Sequence, residues 1–239
     1  MPSSDSQKKG TVVNSLAALV DRIEQKRYFG RKTPARELLG AAREIASRQG
    51  LPGSYAGMFA PTRLDFRRGI RVFTGEPVRS GAAAAHILGE ECCRLLLKLD
   101  VKDRLVSKAL ARAEAGMTER LTSPERIHSR HVGFYCCGIC TVSIWRHLAA
   151  GGLDSPAPRF RDGLRVLASC RSDGSRWNRF PFFYTLLALT ELETPEAGTE
   201  LRWAAPAAER SLKALRGASR FRKRRRAVLE QALARAGQA

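Results

Sequence analysis

One stretch, Gly133–Leu192, constrains the fold of this chain more than any other. It reads GFYCCGICTVSIWRHLAAGGL, passes through a proline-containing linker, and resumes as RFRDGLRVLASCRSDGSRWNRFPFFYTLLALTEL. It holds four of the six cysteines, two of the three tryptophans and the longest uncharged runs. Apolar residues recur here at helical spacing and on more than one face, the mark of helices buried in a core. The pattern predicts helices near 135–149, 159–170 and 181–192, the last with Pro181 at its first position. The longest uncharged run, Val132–Trp145, is 14 residues. A membrane-spanning helix needs about 20 apolar residues, so the stretch reads as protein core.

The remaining elements must cover that core. Val12, Leu16, Leu19, Val20 and Ile23 form one apolar stripe, expected to fray by Gly30. Thr33-Pro34 starts a second helix with Leu38, Leu39, Ala42 and Ile45 on its inner face. Gly50–Gly57 reads as a loop. Residues 58–79 read as a short helix, although Ile70–Phe73 also fits a strand. Ser80 opens a strong amphipathic helix with Ile87, Leu88, Cys92, Leu95, Leu96 and Leu99 on one side. Asp100–Gly116 is expected to be another, ended by its glycine, with 117–131 as a connector. A helix over Ala204–Leu215 and a basic one from Gly217 to about Ala236 complete the chain. With no convincing strand, the expected fold is all-α, built of antiparallel helical hairpins. The expected organisation is a polar tail (1–10), one all-α domain (11–215) and a basic C-terminal helix (216–239).

Between Asp162 and Leu192 the order is helix, DGSRW turn, then the apolar helix PFFYTLLALTEL. This resembles one repeat of the α/α-toroid proteins, the terpenoid cyclases and protein prenyltransferase β chains, whose repeats carry a turn like Gln-x-x-Asp-Gly-Ser-Trp. Cys170 stands in the place of the Gln, Asp173, Gly174 and Ser175 match, and Arg176 is inserted before Trp177. Gly133–Leu148 resembles another apolar helix of the same kind. The resemblance implies an incomplete ring of hairpins around an apolar inter-helix pocket. It spans about 30 of 239 residues, and the cyclase Asp-x-Asp-Asp motif and a prenyltransferase zinc-ligand motif are both lacking. The expectation is therefore a prenyltransferase-like ligand binder without recognisable catalytic residues. Its pocket would be lined by Trp145, Asp173, Arg176, Trp177, Phe183 and Tyr184, and would suit an apolar molecule with an anionic head.

Two other function classes follow from local chemistry. Cys136, Cys137 and Cys140 lie within five residues, and Cys137-x-x-Cys140 has the spacing at which two thiolates reach one tetrahedral zinc. His131 is the nearest candidate for an imidazole ligand, with Cys92-Cys93 as a further thiol source. The same C-x-x-C at a helix start also suits thiol redox chemistry, and small soft thiols also fill crowded helix interfaces. His86 and Glu90 share one helix face and read either as an ordinary helical pair or as partners on one ligand or proton. The third class rests on charge: 42 basic against 23 acidic residues leave a net +19. Arg220, Arg222, Lys223, Arg224, Arg225 and Arg226 fall in one uninterrupted basic block, suited to nucleic-acid phosphates or to a solvated helix face. The absence of an apolar run behind MPSSDSQKKG leads to the expectation of a soluble, cytoplasmic protein.

Overall fold

The computed structural model describes residues 15–123, 133–154 and 156–238. The fold is all-α: the described residues form ten helices and one two-residue-per-strand hairpin. The helices are α1 (Leu16–Tyr28), α2 (Ala35–Ala46), α3 (Arg63–Arg68), α4 (Gly81–Leu99), α5 (Arg104–Thr122), α6 (Gly138–Ala149), α7 (Pro156–Ser169), α8 (Phe182–Leu189), α9 (Pro195–Ala214) and α10 (Arg220–Gln238). The strands are β1 (Arg171–Ser172) and β2 (Arg176–Trp177). The expected polar tail and the first four residues of the first expected helix lie outside the described residues. None of the described helices is long and apolar enough to cross a membrane.

The central pair is α4 against α6. On one side α1, α2 and α5 pack around α4; on the other, α8 lies between α6 and the α9–α10 hairpin, with α7 against α6 and α9. The most apolar element, α8, is buried over Tyr184–Leu189. Its C-terminal carbonyls are satisfied by Arg235 of α10, which reaches Thr190 O (2.6 Å) and Leu192 O (3.1 Å).

Polar residues at the helix starts supply caps. Ser15, Ser80, Asp103 and Thr194 each accept a backbone N–H from the first turn of α1, α4, α5 and α9. Asp65 does this for two helices at once. It closes a capping box with Thr62 on α3, while its carboxylate also accepts Ser15 Oγ (2.5 Å), Leu16 N (3.2 Å) and Ala17 N (3.1 Å) at the start of α1. One buried side chain thus ties residues 62–68 to the first helix.

Several expected boundaries move, each for a physical reason. The helix expected to stop at Gly116 runs on to Thr122. Gly116 marks a close approach instead: a Cβ there would sit 2.2 Å from Ala56 O. In 58–79 only Arg63–Arg68 is helical; Ile70, Val72 and Phe73 are buried in irregular chain pinned by Val72 N to Glu76 O (3.1 Å). α9 begins nine residues before Ala204, at Pro195, and carries Pro206 inside it. The tight reversal in DGSRW places Ser175, at φ 55°, in the left-handed region, whereas Gly174 stays out of it. With Ser175 N bonded to Ser172 O (3.0 Å) and Ser172 paired with Arg176, residues 173–175 form a three-residue hairpin loop that ends on the left-handed residue. The basic C-terminal helix belongs to the common core through Val228, Leu229 and Ala232.

Candidate metal centre

The start of α6 gathers the thiols. Cys137 is its N-cap residue, extended at φ −159° and ψ 169°, so the helix begins at Gly138. Gly138 has no alternative, because a Cβ there would lie 2.0 Å from Arg179 O. Thr141 then folds the preceding chain over the helix end, accepting Tyr135 N (2.9 Å) and donating to Cys137 O (2.8 Å). Cys136 becomes exposed, Cys137 half-buried and Cys140 buried, and the Cys136 and Cys137 sulfurs are 4.0 Å apart. Cys137 holds its proton weakly: hydrogen bonds from Cys136 and then Cys140 favour its thiolate, burial opposes it, and the Cys140 and Ile139 N–H groups add to the lowering. The Cys140 thiol is pushed up by the Cys136 and Cys137 sulfurs and by burial.

Next to this cluster runs α4, bringing His86. One ring nitrogen of His86 and the Cys136 and Cys140 sulfurs all lie within 4.8 Å of one another. The imidazole is buried, 1% exposed, with Tyr55 and Tyr135 at ring-centroid distances of 4.7 and 4.8 Å. The two tyrosine hydroxyls meet at 2.6 Å. His86 Nε2 is 3.2 Å from Glu90 Oε1, whereas Nδ1 is buried with no hydrogen-bond partner. If Nε2 carries the proton that Glu90 accepts, Nδ1 presents a lone pair.

Behind His86 the polar groups continue. Glu90 Oε2 bonds His147 Nδ1, and His147 Nε2 lies 3.4 Å from Glu114 Oε1, which also accepts Leu153 N (3.2 Å). Burial would raise the pKa of Glu90, but the charge and hydrogen bond of His147 overcome it and hold the carboxyl at about 2. In return His147, which burial would lower, is raised by Glu90 and Glu114 to about 9. Gly152 leaves room for this contact: a Cβ would lie 2.4 Å from His147 Nε2 and 2.6 Å from Glu114 Oε1.

A second buried network flanks the first. Arg146 reaches Glu91 (2.6 Å) and Glu191 (2.8 Å), Arg94 reaches Glu24 (2.7 Å) and Glu91 (2.9 Å), and Tyr184 donates to Glu91 (2.5 Å). Three carboxylates face two guanidiniums. Glu24, Glu91, Val20, Ile70, Phe73, Ile87 and Leu88 help line a recess of about 30 Å³, room for a water or two.

The other residues singled out in the sequence separate into several places. Trp145 stacks on Phe180 (5.8 Å) and packs over Gly163, where a Cβ would meet its Nε1 at 2.6 Å. Trp177 donates to Glu200 (2.8 Å) and lies against Trp203 and Phe182. Arg176 covers the Phe182 ring, Phe183 sits under Arg225, Asp173 is exposed on the hairpin turn, and Tyr184 belongs to the Glu91 network. None of these side chains lines the recess above.

His131 lies outside the described residues. Cys92 and Cys93 are buried within α4, their thiols pushed up chiefly by burial, and are not in the His86–Cys136–Cys140 group. In the basic block, Arg224 is fully buried against Asp21, Gln25 and Phe73 O, which corrects its assignment to polyanion contact. Arg225 is half-buried and bonds Thr74 O (2.7 Å), while Arg220, Arg222, Lys223 and Arg226 are exposed. Tyr55, Tyr135 and Glu114 carry no local sequence signal; only the approach of α4, α5 and α6 places them here. No known protein family, characterised protein or solved structure matches this chain.

Proposed function

We propose that this chain is a zinc-binding protein whose ion is held by His86, Cys136 and Cys140, with Cys137 as the fourth ligand. One observation carries this reading: a ring nitrogen of the buried His86 and two thiol sulfurs lie within 4.8 Å of one another, and of the two ring nitrogens Nε2 meets a buried carboxylate while Nδ1 has no hydrogen-bond partner. Metal-ligating histidines characteristically use their second nitrogen in this way, which sets the tautomer and raises the basicity of the ligating nitrogen. Three thiolates and one imidazole form a donor set of the borderline-soft kind that zinc takes up tetrahedrally. Sulfurs about 3.8 Å apart are what Zn–S bonds of about 2.3 Å require; the Cys136–Cys137 separation is 4.0 Å.

A site closed by four protein ligands is structural in character. Here the ion would fasten the chain at the start of α6 onto α4. The two helices form the centre of the fold, so metal occupancy would bear on the whole core.

Metal analysis of untagged protein purified without chelator tests this directly. The expected result is about one zinc per chain, lost in His86→Ala and in Cys136→Ser/Cys140→Ser. Cobalt substitution should give the tetrahedral visible spectrum with thiolate charge-transfer bands, weakened by Cys137→Ser. Folded protein that is metal-free and takes up neither ion would overturn the proposal.

A further inference from the structure

A separate surface carries a different signal, independent of the thiol cluster. It comprises the β1–β2 turn, the end of α9, the 215–219 connection and the first half of α10. Arg176, Arg210, Arg216, Arg222, Lys223 and Arg226 are all exposed on it. Four of these guanidiniums are oriented by neutral oxygens: Arg176 on Ser211 Oγ (2.8 Å), Arg210 on Gly174 O (2.7 Å), Arg216 on Lys213 O and Arg226 on Leu215 O (3.1 Å). Those bonds also show that the segments adjoin. No ion pair to a carboxylate is found for any of the six among the described residues; Asp173 and Glu209 are the exposed acids on these segments. Arg176 is crowded enough that burial first, and the Arg210 charge second, lower its pKa.

Cations held in place by neutral acceptors keep their full charge for an external partner, and part of the ordering cost has already been met within the fold. We infer that this face binds duplex nucleic acid through its phosphates, without reading sequence. A lipid surface fits less well. The apolar side of α10 is buried in the core, and the exposed large hydrophobic residues, Phe29, Leu51, Phe66 and Leu105, lie on other segments. Single strands fit less well too, because they need open aromatic faces. Trp177 and Phe182 are buried, and Phe221 is half-buried under Arg220.

Fluorescence anisotropy with a labelled DNA duplex of mixed sequence, titrated from about 50 to about 200 mM KCl, tests the inference. About five phosphate contacts give a slope of log K against log salt near −4.5. The variant Arg216→Gln/Arg222→Gln/Lys223→Gln should flatten the slope by about 3, with an unchanged thermal melt. The variant Arg36→Gln/Arg63→Gln/Arg67→Gln, with the same charge removed from exposed positions on α2 and α3, should leave it alone. Absence of binding at the lowest salt overturns the inference. Equal slopes in wild type and the first variant, equal losses in both variants, or tighter binding to phosphatidylserine vesicles than to duplex would also overturn it.

Discussion

Glu91 is buried and still ionised because Arg146 and Arg94 reach it from two helices and Tyr184 donates to it. Burial alone would raise its pKa; the two guanidiniums more than offset that and hold it at about 2 against an ordinary 4.5. A carboxyl lowered on folding stabilises the native state above its unfolded pKa, and that contribution fades as pH falls toward the folded value. Stability against urea should therefore drop between about pH 4.5 and pH 2, through protonation of Glu91 together with Glu90 and Glu24, which are lowered in the same direction. Glu91→Gln should cost about 3–5 kcal/mol at neutral pH by leaving buried guanidiniums undercompensated, and should shrink the acid step. An acid step of unchanged size would assign it to other carboxyls. Gly116→Ala tests packing at the same scale. Its Cβ has a backbone oxygen in the way, so we expect a loss of about 1–3 kcal/mol by denaturant titration, and a neutral outcome would mean that the Ala56 turn yields. The sequence marked Gly116 as special but not why: helix end and close approach both call for glycine, and only the neighbouring chain distinguishes them.

Elements show the same division. Helices with a clear apolar stripe and a polar cap, such as Ser80 followed by Ile87, Leu88, Cys92, Leu95 and Leu96, were legible because periodicity and capping act over a few residues. Residues 58–79 were not, since their order comes from Asp65 reaching α1 and from burial of Ile70, Val72 and Phe73. The start of α9 was missed because its first turns are small and mixed in character, and Pro206 obscured its middle. Pro206 is exposed inside that helix, so Pro206→Ala should restore an N–H donor and stabilise the protein by about 1–3 kcal/mol. A destabilised variant would show that a bend at Pro206 is needed for packing. α10, read from sequence as a basic appendage, contributes Val228 and Leu229 to the core and Arg224 to an internal ion pair. Truncation after Leu215 should abolish the cooperative thermal transition, whereas a truncated chain that melts like the full one would remove α10 from the fold's stability.

At the scale of the whole molecule, the proposed zinc links two halves, with α1, α2, α4 and α5 on one side and α6 to α10 on the other. A ligand that binds only the folded chain adds RT ln(1 + [L]/Kd), about 2.7 kcal/mol at a hundredfold excess over Kd. Removing metal with a chelator should lower the melting temperature, and adding zinc back should restore it; His86→Ala should melt at the apo temperature and ignore added zinc. Melting that is indifferent to chelator would separate the cysteines from the fold's stability. The all-α class, the helix starts at Thr33-Pro34, Ser80 and Pro181, and the Cys137-x-x-Cys140 spacing are legible in the chain alone, because caps, stripes and ligand spacing are short-range properties. Tertiary packing alone brings His86 to the Cys136 and Cys140 thiols, pairs the Glu90 carboxylate with the His147 imidazolium in the core, and turns Arg224 inward while Arg222 and Lys223 face water. Each of those outcomes depends on which helices touch, and helix contact is set by the summed burial of many residues far apart in the chain.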